Sequence, residues 1–192
     1  TSMTAWYLVR VKSHFTKVLY YLFAFAMIVP FQMVMFTLAK TADTLRLNNP
    51  YNICIIYLGF GAGLAVFMFT GFVKGIPLEI EEAAMIDGCS PIQTYFQVVF
   101  PILKPTAITV AILQVMWIWN DYLLPFLVIG NKTGSKTLTL ELYFAKLTSG
   151  QYGNPWELIF PAVFVTIIPI IILYISLQKY IVAGVSEGAV KM

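Results

Sequence analysis

Apolar positions in this chain run together instead of alternating. Four stretches, residues 18–39, 51–73, 105–129 and 156–177, each reach the ~20 residues that a helix needs to cross a bilayer. The first is too long for a signal peptide and is followed by further spans. Between the second and third spans, residues 74–104 mix polar and apolar positions. Pro77 suits a first helical position, and Glu79, Glu81 and Glu82 fall in or near the first turn, where the helix dipole favours acids. Leu78, Ile80, Ala83, Ala84, Met85 and Ile86 supply apolar surface, and Gly88 is a natural stop. Ser90, Pro91 and Gln93 then form the signature of a capping box, which predicts a second helix running to about Phe100, ahead of Pro101. The pattern therefore predicts a helix–glycine–helix knob, too small for a core of its own and in need of a protein to dock on. The polar stretch 130–155 is less determinate. Alternation over Leu138 to Leu142 permits a strand, whereas Leu142, Ala145 and Lys146 permit a helical turn, and Gly150, Gln151, Tyr152 and Gly153 form a hydrogen-bonding tip.

Composition makes the membrane reading firm. Hydrophobic residues are 59% of the 192 and charged residues 11%, about half the charge of a soluble domain. Mean hydropathy is +0.81. The predicted fold class is an all-α membrane protein, a polytopic helical bundle with four spans forming a single transmembrane domain over 1–192. The net charge of +3 is small and dispersed, which argues against a nucleic-acid partner. Cys54 and Cys89 fall at different depths, so neither a disulfide nor a metal site is expected. His14, beside basic residues, is expected to be solvated. Four spans place both chain ends on one side with Arg10, Lys12, Lys17, Lys74, Lys104, Lys179 and Lys191, against five basic residues on the other. That bias makes the shared side, with the acidic stretch, cytoplasmic.

The spans carry few chemical candidates. Gly59 and Gly63 form a G-x-x-x-G pair suited to close helix packing. Pro30, Pro125, Pro161 and Pro169 interrupt the other spans, and each removes a donor and can bend its helix. Asp121 is the one acid placed inside a span, where an ionisable group is a functional candidate. At ~100° per residue it shares a helix face with Gln114 and Trp117, with Asn120 to one side. These four could wall a solute path, or Asp121 could be an interhelical hydrogen-bonding group. "GNKTGSKT", residues 130–137, nearly matches a phosphate-binding loop, but Ser135 replaces its second glycine and the loop falls on the side opposite the acidic stretch. It is read as a polar surface loop. Its N-x-T sequence at Asn131 matters only in a secretory pathway.

The stretch "EIEEAAMIDGCSPIQTYFQVVFP" resembles the E-A-A-x3-G-x9-I-x-L-P signature of ABC-transporter permease subunits. Glu82, Ala83 and Ala84 match E-A-A, Gly88 the glycine, and Val98 to Pro101 the last element with two conservative changes. "IVPFQMVMF", "PILKPT", "WNDYLLPF" and "GVSEGAVK" are similar to the binding-protein-dependent carbohydrate branch, MalG-like, and the resemblance covers nearly the whole chain. It implies six spans in a full-length subunit, so the chain is expected to be truncated at its N-terminus. It further implies that Glu82, Ala83, Ala84, Asp87, Gly88 and Pro101 belong to a cytoplasmic coupling element gripped by an ATPase subunit. Glu187, Gly188, Val190 and Lys191 would also approach the ATPases, and Gly150, Gln151 and Tyr152 would face an extracytoplasmic sugar-binding protein. The implied partners are cytosolic ATP-binding subunits, that binding protein and a second permease in a heterodimer, in a bacterial inner membrane. The function expected is passage of a sugar, with no catalytic site and no cofactor in this subunit. A membrane enzyme using Asp121, or a proton-coupled transporter, is the alternative. Each would want a second titratable group in the spans, and none is visible.

Overall fold

A computed structural model describes residues 1–130, 134, 136–149 and 156–189, without the side chains of 147–149, 158 and 179–189. Among the described residues every regular element is a helix. In chain order these are α1 (Ser2–Arg10), α2 (His14–Ile28), α3 (Phe31–Thr44), α4 (Ile53–Val73) and α5 (Leu78–Ile86). There follow α6 (Pro91–Thr94), a π turn (Tyr95–Val99), α7 (Phe100–Ile102), α8 (Lys104–Asn120), α9 (Leu123–Val128), α10 (Leu138–Ser149) and α11 (Trp156–Ala189). The helical option for the residues after Leu138 is thus the one adopted.

Proline positions explain why two expected spans are broken. The stretch 18–39 is two helices separated at Val29–Pro30. Pro30 forces its predecessor out of the helical region, and Val29 sits at φ −65°, ψ 118°. The stretch 105–129 breaks after Asn120. Pro125 would clash with the carbonyl of Asp121 four residues back and cannot donate to it, so the helix restarts at Leu123 and places Pro125 in the first turn. The freed Asp121 carbonyl accepts the Thr139 hydroxyl at 2.8 Å. Pro161 and Pro169, by contrast, lie inside an uninterrupted α11. By length and apolarity, α4 and residues Ile159–Gln178 can each cross a membrane, and the count rises to four if α2 with α3, and Pro91–Ile102 with α8, each form one broken span.

The chain clusters into two compact units. One comprises residues 1–29, 60–112 and 178–192, the other residues 30–59 and 113–177. The first has a core of Ala5 from α1, Ala65, Val66, Phe69 and Val73 from α4, Ile76, and Tyr95, Val99, Leu103 and Val110. Gly63 permits a close approach in it, because an added Cβ would lie 3.0 Å from the Phe23 carbonyl oxygen of α2. Its expected partner Gly59 faces open space. The second unit packs α3 against α9 and buries Ala42, Tyr57, Leu124, Val128, Ile129 and Leu140.

Candidate functional site

The knob forms as its local sequence dictates. Pro77 stands one position earlier than expected, as the cap, with Leu78 the first helical residue. At the other end of α5, Gly88 adopts φ +91°. Its N–H donates to the Met85 carbonyl, and the Cys89 N–H donates to the Ala84 carbonyl, both at 3.0 Å. This pair of bonds is the Schellman arrangement, which needs a left-handed residue at that point. Ser90 then caps α6 with a reciprocal bond. The Ser90 N–H donates to Gln93 Oε1 at 2.8 Å, and Ser90 Oγ accepts from the Gln93 N–H. The second helix does not stop ahead of Pro101. A π turn at Tyr95–Val99, closed by the Phe100 N–H reaching Tyr95 O, carries the chain into α7, where Pro101 occupies the first turn and needs no partner for its missing N–H.

The knob's inner face is not bare, which corrects the expectation that it lacks a core. Tyr95 is buried, its hydroxyl lies 2.6 Å from Ser2 Oγ, and its ring packs on Trp6 at 5.4 Å between centroids. Glu81, with 1% of its side chain accessible, is fully engaged. Arg10 donates to Glu81 Oε1 through Nη2 at 2.7 Å and Nε at 2.9 Å, and Trp6 Nε1 donates to Oε2 at 2.9 Å. Arg10 Nη2 also donates to the Ile76 carbonyl at 2.8 Å, just beyond the C-terminal end of α4. Sequence reading assigned Glu81 only to the helix dipole and missed this cluster. A signal existed: Arg10 is one of two arginines among twelve basic residues, and a guanidinium in place of an ammonium suits a buried carboxylate.

The outer face carries the signature residues. Glu82, Ala83, Asp87, Gly88 and Pro101 are exposed and Ala84 half-buried. Around them Leu78, Met85, Ile86, Ile92 and Phe96 stand uncovered, Ile86 at 86%.

The expected polar wall is arranged differently. Asp121 lies in the break after α8, not on a continuous helix face with Gln114 and Trp117. Its Oδ1 accepts the Leu123 N–H at 3.0 Å and the Leu124 N–H at 3.3 Å, which serves the start of α9, and its Oδ2 accepts the Tyr57 hydroxyl at 3.0 Å. Trp117 sets its edge against Tyr57, centroids 5.7 Å apart, and is itself 43% exposed. Asn120 turns its amide back to the Met116 carbonyl at 2.7 Å. Gln114 is half-buried. Gly150, Gln151, Tyr152, Val190 and Lys191 lie outside the described residues, as do residues 131–133 and 135 of the 130–137 stretch. Glu187 and Gly188 belong to α11 by backbone alone.

Comparison with known proteins follows the same lines. The chain is 43% identical over its whole length to the probable starch degradation products transport system permease protein AmyC of Thermoanaerobacterium thermosulfurigenes. It is 37% identical over 91% of its length to the multiple sugar-binding transport system permease protein MsmG of Streptococcus mutans. The melibiose/raffinose/stachyose import permease protein MelC of Bacillus subtilis is 33% identical over 99% of it. The chain spans 68%, 62% and 68% of the lengths of these relatives. The pattern of binding-protein-dependent transport system inner membrane components matches residues 2–187, from the first residue of α1 almost to the end of α11. The chain is thereby a multi-pass membrane protein and belongs to the family of binding-protein-dependent transport system inner membrane components.

Proposed function

We propose that the protein is the permease subunit of an ATP-driven importer of sugars, oligosaccharides in particular. It spans the membrane four times in this stretch and moves its solute without a catalytic site of its own. The observation that carries this reading is the knob: a helix–glycine–helix whose signature residues lie on an exposed, partly apolar surface while its inner face is locked to α1. Glu82, Ala83, Ala84, Asp87, Gly88 and Pro101 form the surface that a cytosolic ATPase grips, and Glu187, Gly188, Val190 and Lys191 approach the same partner. Closure of the ATPases moves the knob, and the knob moves the spans. Gln114, Trp117 and Asn120 line the solute path, with Asp121 holding Tyr57 beside it. Gly150, Gln151 and Tyr152 meet the sugar-binding protein. The uncovered apolar side chains of Ile159–Gln178 face lipid and a second permease subunit. The names of the three relatives given above, permeases for starch degradation products or sugars, support the solute class.

Glu82 is exposed, so Glu82→Lys leaves folding and insertion intact while reversing charge on the docking surface. Radiolabelled sugar uptake is expected to fall to background in Glu82→Lys, and the ATPase is expected to be lost on co-purification. Uptake at the parent rate in this variant sinks the coupling assignment.

A further inference from the structure

In the first unit, a pocket of about 520 Å³ opens beside the turn between α1 and α2. Its walls include Arg10, Lys12, Lys17 and Lys74, together with Tyr20 and Thr16, and contain no carboxylate. A second hollow of about 360 Å³ is lined by Lys12, Ser13, His14 and Lys17. Glu81 neutralises Arg10, which leaves three lysines on one pocket with no ion-pair partner among the described residues. Lys74 lies over the Tyr20 ring at 5.6 Å from its centroid, an arrangement that offsets part of its charge but supplies no anion.

Two further features mark the place as built for negative charge. His14 and Lys17 occupy the first turn of α2, which contains no acid. Cations there oppose the positive end of the helix dipole, whereas an anion relieves the conflict. Lys74 also follows directly on Val73, the last residue of the apolar α4. With α4 read as a span, the pocket falls at its end, where hydrocarbon gives way to headgroups and where aromatic side chains such as those of Tyr20 and Tyr21 collect.

We propose that this pocket binds a phosphate-bearing anion, supplied either by the headgroup of an anionic phospholipid or by a soluble phosphorylated small molecule. The shared chemistry is a phosphoryl group held by the Lys12, Lys17 and Lys74 ammonium groups. None of the three lysines belongs to the coupling surface, so the inference stands apart from the transport reading.

The test is native mass spectrometry of the purified protein with phosphatidylglycerol, phosphatidylcholine or glycerol 3-phosphate. The parent is expected to retain phosphatidylglycerol over phosphatidylcholine, or else to bind glycerol 3-phosphate. Phosphatidylglycerol that glycerol 3-phosphate cannot displace identifies the lipid source, and glycerol 3-phosphate binding without any lipid preference identifies the soluble one. Replacing Lys12, Lys17 and Lys74 together by Gln is expected to weaken whichever ligand binds by about fivefold per lysine. Thermal midpoints establish that the variant is folded, and Lys40→Gln with Lys104→Gln serves as the control for diffuse charge. Equal retention by parent and triple variant, or an equal loss in the control, overturns the proposal.

Discussion

Glu81 and Asp121 each accept a hydrogen bond from an aromatic donor, Trp6 in one unit and Tyr57 in the other. Their remaining partners differ in kind. Glu81 is held by a guanidinium that itself reaches the backbone at the end of α4. Asp121 has no ion-pair partner among the described residues and is held by two backbone N–H groups of the helix it starts. The first arrangement ties together elements far apart in sequence. The second repairs a break that Pro125 creates four residues away. A buried ion pair is costly to form and costlier to split, whereas a carboxylate at a helix start can be replaced by any good acceptor.

This contrast can be broken at either end. The largest effect is expected from Arg10→Leu, which leaves Glu81 charged, inaccessible and without its cation. A loss of about 3–5 kcal/mol follows, read as a lowered unfolding midpoint in detergent, with Arg10→Leu/Glu81→Leu recovering much of it. A double variant no more stable than Arg10→Leu alone would show that the pair is not the source. Tyr57→Phe removes one hydrogen bond to Asp121 and keeps the ring against Trp117, so the expected loss is about 1.5–3 kcal/mol. The smallest change is expected for Asp121→Asn. The amide oxygen still accepts from Leu123 and the amide NH2 can donate to the Tyr57 oxygen in place of the bond received from it, so the cost should stay near about 1 kcal/mol. A drop in Asp121→Asn as large as that in Arg10→Leu would erase the distinction between the two clusters.

What could be foreseen in the sequence divides along the same line. The turn at Gly88 and the cap at Ser90 depend on residues within six positions of each other, so local pattern was sufficient for both. The long apolar runs signalled membrane helices for the same reason. The Arg10–Glu81 pair joins residues 71 positions apart, and no local rule selects Glu81 over Glu79 or Glu82 as the acid that turns inward. The break at Asp121 was within reach through Pro125. Yet an identical residue leaves α11 unbroken at Pro161 and Pro169. Local pattern does not separate the two outcomes; at Asp121 the freed carbonyl is taken by Thr139, 18 residues further on, and that is tertiary information.

Arg10 has a mechanical meaning beyond its energy. One guanidinium fastens the last turn of α1, the foot of α4 and the first turn of α5 at a single point. Contacts of this sort act as a pinned joint: the three rods cannot slide past one another there, though each can still swivel about the pin. A displacement of α5 is therefore tied to α4 through that single point.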